Sequence, residues 1–475
     1  MSTLLPPASR ERLDPGFVRL SLVMLTGALA VVFDTTIVNI ALDTLGRQLH
    51  VPVSTIQWIT TGYLLALGMA VPTTNWLTGR FGGKNVWLAA LTLFLAGSVG
   101  ASLAPDAATL IAFRVVQGVG GGLMLPVMQT LLVQAAGGRS LGRATAIIGL
   151  PALLGPVLGP VVGGLIVQHL TWRWIFWINV PFCLAGLALA WRFMPAGERG
   201  RDVPLDWVGL ALLSPGIAGI IFGLSRVGEG GGFGHAGVLL PLVAGAALVA
   251  AFAVRALRTD GTPLVDLRLL RSPSFSAANA LMFLSGFVLY GAMLLIPLFF
   301  QQVAGDDAFT AGLLLAPQGI GVLLSRGLAG TLTDRLGARP VTAVGLTVTA
   351  LGTLPFAWAG PDTPTWWLVT ALVVRGIGLG AVTIPVMSSA YEGLAREEVP
   401  HASVITRTAQ QVGGSFGTAV LAVVLDSALT RHPGGPADAA AAFGHTFWWS
   451  LAFTVLALAA SAWLPSRLTR RTVNL

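Results

Sequence analysis

The sequence predicts an all-α polytopic membrane protein with fourteen transmembrane helices, and three observations lead there. Apolar residues make up 54% of the 475 and charged residues only 10%, with a mean hydropathy of +0.78, values outside the range of soluble globular domains. Apolar runs of about 20 residues, enough for a helix to cross the hydrocarbon core, follow one another from Phe17 to Leu464. The basic residues at the ends of these runs and in the breaks between them fall 20 on one side against 4 on the other.

Each break between runs is short and holds Gly, Pro or charge, which sets the limits of the spans. Span one covers 17–42, span two 54–77, span three 85–104, span four 107–134, span five 143–168 and span six 173–194. Spans seven (207–226) and eight (236–257) are joined by the Gly-rich turn Gly228 to Gly234. Spans nine to fourteen cover 274–301, 310–332, 339–359, 364–389, 402–429 and 444–465.

An even count puts both termini on one side, and positive charge collects on the cytoplasmic side of membrane proteins. The clusters Arg10/Arg12/Arg19, Arg80/Lys84, Arg139/Arg143, Arg192/Arg199/Arg201, Arg255/Arg258/Arg268/Arg271, Arg335/Arg339, Arg396 and Arg467/Arg470/Arg471 all fall on the terminal side. Only Arg47, Arg173, Arg226 and Arg431 lie opposite, so both ends are expected in the cytoplasm. The net charge of +8 therefore describes loops and gives no support to nucleic-acid binding. The single cysteine, Cys183, cannot form an intrachain disulfide. The polar first sixteen residues precede a run too long for a signal-peptide core. Trp58, Trp172, Trp174, Trp207, Trp366 and Trp367 lie near span ends and read as an interfacial belt.

Asp34 is the one acid in span one. An ionised Asp at membrane depth costs about 2.5–3.5 kcal/mol on insertion scales, so it points to a cavity and a task, unless it lies close enough to the helix end to reach water. At 1.5 Å per residue Asp34 is about 12 Å from the outer end of span one, and Arg114 is at similar depth in antiparallel span four. Equal depth allows a contact between them; the alternative for Arg114 is a structural donor to backbone carbonyls. Gln117, nearly one turn on, shares that face. Span nine has no acid, and its polar candidates are Asn279, Tyr290 and Gln301, with Gln318 in span ten. Arg326, Arg375 and Arg407 are assigned to structure or an inner gate, with Glu392, Glu397 and Glu398 as their expected partners.

Motifs recur in the two halves, a mark of transporter folds. TGRFGGK (78–84) closes span two and GTLTDRLGAR (330–339) closes span ten; RVVQGVGGGLMLPVM (114–128) in span four is echoed by RGIGLGAVTIPVM (375–387) in span twelve. The expected organisation is a cytoplasmic N-terminus (1–16), a six-helix bundle (17–194), a linker (195–206), a two-helix insert (207–257), a linker (258–273), a second six-helix bundle (274–465) and a cytoplasmic tail (466–475).

Five stretches resemble the major facilitator superfamily, in its fourteen-span drug:proton antiporter branch: DTTIVNIAL (34–42), QWITTGY (57–63), RVVQGVGGG (114–122), GLPALLGPVLGPVVGG (149–164) and WRWIFWINVP (172–181). The resemblance covers nearly the whole chain and implies a major facilitator fold, two six-helix bundles plus two extra central helices. It implies that Asp34 and Arg114 line a central cavity and couple to protons, with Asn39, Gln57, Tyr63, Gln117, Asn279, Tyr290 and Gln318 as substrate-cavity residues. Gly155, Pro156, Gly159, Pro160, Gly163 and Gly164 match the antiporter motif, which implies export. Arg80, Gly82 and Lys84, and in the second copy Asp334, Arg335, Gly337 and Arg339, match a cytoplasmic latch. The first copy departs from it, with Gly79 at the acidic position and Asn75 at the first glycine position, so a resting state shifted to inward-open is expected.

Burial favours the neutral form of Asp34, whereas a nearby arginine or a cationic substrate favours the carboxylate. A substrate that expels the proton is by linkage expelled by a proton, which is antiport. The expected function is proton-coupled export of hydrophobic or cationic drugs across the bacterial cell membrane, by a monomer that uses the proton gradient and no cofactor. The alternatives are a dedicated exporter of an endogenous metabolite or lipid and, further off, a symport importer or a receptor. GVGGG in span four lacks the Gly-Lys-Ser/Thr ending of a nucleotide loop. The six histidines have no metal-ligand spacing, and no set of catalytic groups supports an enzyme.

Overall fold

A computed structural model of the chain describes residues 15–51, 53–136, 159, 162–163, 165–166, 169–195, 204–227, 232–259, 263–431 and 434–465, the side chains of 39–44, 47, 53–54, 232 and 308 excepted. These residues are helical wherever the apolar runs predict it. Twelve helices among them are long and apolar enough to cross a membrane. Span two is the helix Val53–Ala70, a 3-10 turn Val71–Thr73 and the helix Thr74–Phe81. Pro72 lies in the turn, where it has no N–H to offer an α-helix. Span five lies largely outside the described residues, so they do not carry the full count of fourteen. Span one is longer than its apolar run and continues as one helix, Pro15–Leu49.

The same packing pairs occur on both sides of the insert. Spans two and three pack on span four, and span six packs on spans one and three; ten and eleven pack on twelve, and fourteen packs on nine and eleven. Glycines set how closely these helices approach. A Cβ on Gly118 would lie 2.4 Å from the carbonyl oxygen of Tyr63, and one on Gly122 would lie 2.4 Å from that of Leu67. On Gly120 it would meet the Ala90 carbonyl oxygen at 2.7 Å. Gly376 and Gly380 meet the carbonyls of Gln318 and Val322 in the same way, and Gly378 meets Gly345. Small residues allow this backbone contact, which is the main source of helix association where water exerts no drive.

This packing sets the register of the internal repeat. Gly118, Gly120 and Gly122 correspond in contacts to Gly376, Gly378 and Gly380, which places Arg375 opposite Gln117 and not opposite Arg114.

Span seven, the helix Trp207–Ser225, packs on span two: Ser214 Oγ donates to the Met69 carbonyl at 2.9 Å, and the Trp58 and Phe222 rings lie 5.7 Å apart. It also touches span thirteen, so the insert lies at the seam between the halves. Asp206 caps its first turn through the Gly209 N–H at 2.8 Å and pairs with Arg255 of span eight at 2.8 Å. Burial opposes the charge on Asp206, but the bonds from Arg255, Gly209 and Leu264 hold it below the usual carboxylate range.

Two faces of the molecule differ. On the face where the clusters Arg80/Lys84 and Arg335/Arg339 lie, the basic face, one apolar core is continuous across both halves, from Met24, Met128 and Val133 to Phe275, Met387 and Ala402. Toward the opposite face the core divides, with Phe33, Ile59, Trp172 and Phe176 in one part and Phe299, Phe356, Phe443 and Phe447 in the other. Among the described residues the halves therefore join at the basic face and separate toward the other.

Further groups tie the two halves together at the basic face. The Asn75 amide lies 3.0 Å from Nε2 of His401 at the start of span thirteen, while Nδ1 of that ring accepts the Asp266 N–H at 3.0 Å. Gln134 donates to the Arg396 carbonyl at 3.0 Å. Asn75, at the motif's first glycine position, thus supplies a tie across the halves, and His401 joins span two, the second linker and span thirteen. His401→Ala is expected to lengthen spin-label distances across the basic face; unchanged distances would show that the apolar core alone keeps it shut.

The turn glycines adopt backbone that other residues avoid, Gly82 at φ 80° and Gly337 at φ 92°. Lys84 donates to the Trp191 and Met194 carbonyls at 2.9 and 2.7 Å, at the end of span six. Arg80, Asp334, Arg335 and Arg339 are exposed on the basic face. Of the tryptophans read as an interfacial belt, Trp172 is an exception: it is buried, with its ring 4.6 Å from the Arg173 guanidinium.

Candidate functional site

Asp34 and Arg114 meet directly. Both are buried, with exposures of 0% and 1%, and Arg114 Nη1 donates to Asp34 Oδ2 at 2.5 Å. Span one supplies the acid and span four the base, at the matched depth their sequence positions imply. Gln117, three residues after Arg114 on the same face, uses both ends of its amide. Its Nε2 donates to Asp34 Oδ1 at 2.9 Å, and its Oε1 accepts from Arg114 at 2.8 Å. Arg114 Nε donates to the Ile59 carbonyl of span two at 3.1 Å, so the backbone role and the ion pair coexist. The guanidinium lies 4.1 Å from the centre of the Tyr63 ring, a cation–π contact.

A further donor escapes the sequence reading. Asn179 of span six gives its amide N–H to Asp34 Oδ1 at 3.1 Å and to Ser98 Oγ of span three at 3.1 Å. Ser98 Oγ donates to the Phe176 carbonyl at 2.8 Å. The signal was present as an Asn in an apolar span within WRWIFWINVP. Its direction depends on a local break, the short helix Trp174–Trp177 followed by a new helix from Asn179.

The carboxylate thus takes three donors, one on Oδ2 and two on Oδ1. This cage suits the ionised form, since each hydrogen bond to a charged group contributes about 1.5–3 kcal/mol net. A proton added to Asp34 turns one acceptor into a donor that faces another donor, so protonation forces a partner to release.

The other expected cavity residues are dispersed. Tyr63 is 1% exposed and lies beneath Arg114. Gln57 is half-buried, and the Asn39 side chain lies outside the described residues. Asn279 is buried near the start of span nine and bonds within its own helix to the Phe275 carbonyl, far along the helix from a counterpart of Asp34. Tyr290 packs on Gly414 of span thirteen. Gln318 is a partner of Arg375, whose other acceptors are Thr353 Oγ1 at 3.2 Å and the Val288 carbonyl at 3.1 Å.

Glu398 of the acidic turn and the embedded arginines make separate contacts. Arg375 has neutral acceptors, Arg407 donates to Gln410 at 3.0 Å, and Nε and Nη1 of buried Arg326 have none among the described residues. Glu398 instead caps its own turn through the Ala395 N–H at 2.8 Å. Of the antiporter-motif residues, Gly155, Pro156, Pro160 and Gly164 lie outside the described residues. Gly159 and Gly163 are buried, and a Cβ on Gly159 would come within 2.1 Å of Thr36 Oγ1, two residues from Asp34. Span five therefore touches span one next to the acid, with glycine at the contact.

Comparison with known proteins gives the family. Over 417 residues the chain is 36% identical to the Multidrug resistance protein B homolog of Mycobacterium tuberculosis, covering 87% of this chain and 77% of that protein. It is 31% identical over 394 residues to the Lincomycin resistance protein LmrB of Bacillus subtilis, covering 83% and 82%. The fold is similar to that of the proton:xylose symporter XylE, with a TM-score of 0.65 at 16% identity over 95% of this chain and 96% of that one. The human organic anion transporter MFSD10 gives 0.64 at 16% identity over 94% and 100%. Residues 24–418 match the family model described as Major Facilitator Superfamily. With that match running from within span one to within span thirteen, this multi-pass membrane protein belongs to the Major Facilitator Superfamily and is a transporter.

Proposed function

We propose that the protein is a proton-coupled antiporter that exports hydrophobic or cationic drugs, antibiotics among them, by alternating access. The observation that carries the reading is Asp34, a fully buried carboxylate held by Arg114, Gln117 and Asn179. A proton and a substrate cation compete for such a group, and that competition is the linkage antiport needs. The GPxxGPxxGG sequence at 155–164 and the names of the two resistance relatives support export. The distribution of basic residues supports a cytoplasmic basic face, with both termini there, in a fourteen-span arrangement of two six-span bundles and a central insert. In that orientation the joined basic face and the divided opposite face describe an outward-facing state. We take the transporter to act as a monomer in the bacterial cytoplasmic membrane, driven by the proton gradient without a cofactor.

The test is transport by purified protein in sealed vesicles with an imposed proton gradient. The substrates are a panel of lipophilic cations together with lincomycin, the compound in a relative's name. Movement of a panel compound against its gradient, with protons moving oppositely, is the expected result. Transport of compound and proton in the same direction would overturn antiport, and no movement of any compound would overturn the drug-export reading.

A further inference from the structure

Three amide or guanidinium side chains hold Asp34, and they differ in what they can do when the acid gains a proton. Arg114 is only a donor, so it cannot accept from a carboxylic acid. Gln117 has an acceptor oxygen, but Arg114 already bonds to it at 2.8 Å. Turning that amide over would break this bond and leave two donors face to face. Asn179 is different. Its Nδ2 serves Asp34 and Ser98, while its Oδ1 is buried with no hydrogen-bond partner among the described residues. The whole residue is 0% exposed. A buried amide oxygen without a partner costs about 1–3 kcal/mol, and such a group in a native site calls for an explanation.

We infer that Asn179 is the positioning residue for the coupling proton: its amide donates to Asp34 when the acid is ionised and, turned over, accepts the O–H of Asp34 when it is protonated. The inference rests on the proposed function, because it assigns a role within proton coupling at the same site.

Atoms and charges balance without any other participant. The proton binds at Asp34 Oδ1, the oxygen that Asn179 faces, and rotation of the amide by half a turn exchanges its NH2 for its oxygen. The bond to Asp34 is kept with its direction reversed. Ser98 Oγ, now an acceptor from Nδ2, can rotate its hydroxyl from the Phe176 carbonyl and donate to the same amide oxygen. The orphaned oxygen is therefore the reserve that lets the site hold either state. With Asp34 ionised, only the orientation observed is attractive, since the alternative would place the amide oxygen against the carboxylate. The position at the start of the helix Asn179–Phe193, just after the break at Ile178, links this rotation to the end of span six.

The experiment is a difference infrared titration of the purified protein, following the protonated-carboxyl band. Asp34→Asn identifies the band, which should vanish in that variant. In wild type the band is expected at the position of a carboxyl hydrogen-bonded to an amide. Asn179→Leu, similar in size and without polar atoms, is expected to move it to higher frequency, and Asn179→Gln to restore it at least in part. In vesicles Asn179→Leu should slow turnover by about tenfold, the loss of one hydrogen bond to a charged group, with substrate KM little changed. If Asn179→Leu does not fold, Ser98→Ala releases the amide from its second partner and should move the same band to a smaller extent. An Asp34 band unmoved in the variant that folds overturns the inference, as does a tenfold loss of turnover with no spectral change. The titration requires no transport, so a protein that shifts its band but moves no substrate would retain the role of Asn179 and lose the export reading.

Discussion

Vesicles containing Asp34→Asn are expected to hold no substrate gradient under a pH difference that wild type converts into one. If one proton exchanges for one monovalent cation, the cycle is electroneutral and the substrate ratio follows the proton ratio, about tenfold per pH unit. Among the described residues Asp34 is the only acid in the buried cluster, where Arg114, Gln117 and Asn179 hold it. Asparagine keeps the size of the side chain and removes the titration. The ratio should fall to one, while exchange of labelled for unlabelled substrate continues, because reorientation with substrate bound does not require a proton. Accumulation by the Asn variant at the wild-type pH dependence would sink the assignment.

The pairing of Asp34 with Arg114 was legible because depth in a membrane helix is a matter of counting residues from the ends of a run. The apolar runs were legible for the same reason, since the bilayer imposes a length. Helix rotation and backbone breaks are set by packing and were not legible. Asn179 depends on the end of a helix at Trp177 and a new one two residues later, which no periodicity announces. The echo of 114–128 in 375–387 was legible but its register was not, because the backbone contacts of the glycines decide it. Arg375 then takes the place of Gln117 and bonds to Gln318. At the basic face the missing acid at Gly79 was read correctly as a departure. The tie between Asn75 and His401 was not legible there, because the two come from segments 326 residues apart.

Arg114→Met separates two roles that the sequence left as alternatives. Removing one partner of a buried ion pair leaves an uncompensated charge, with a cost of about 3–5 kcal/mol; here the pair is 0–1% exposed and the effect should fall in that range. Chemical unfolding in detergent micelles is the measurement. Methionine also loses the bond to the Ile59 carbonyl and the contact with the Tyr63 ring, so the single variant mixes several losses. The double variant Asp34→Asn with Arg114→Met sorts them, because the stranded carboxylate is gone while the backbone and ring losses remain. If the ion pair dominates, the double variant is more stable than Arg114→Met alone, by a coupling of about 0.5–3 kcal/mol. If Arg114 acts chiefly as a backbone donor, the double variant is no more stable than the single one. Arg114→Lys adds the geometric control: it retains the charge but lacks the second nitrogen that lets Arg114 donate from Nε to Ile59 while Nη1 donates to Gln117 and Asp34. It should therefore recover stability that depends on charge and leave uncorrected whatever depends on the three-way fork.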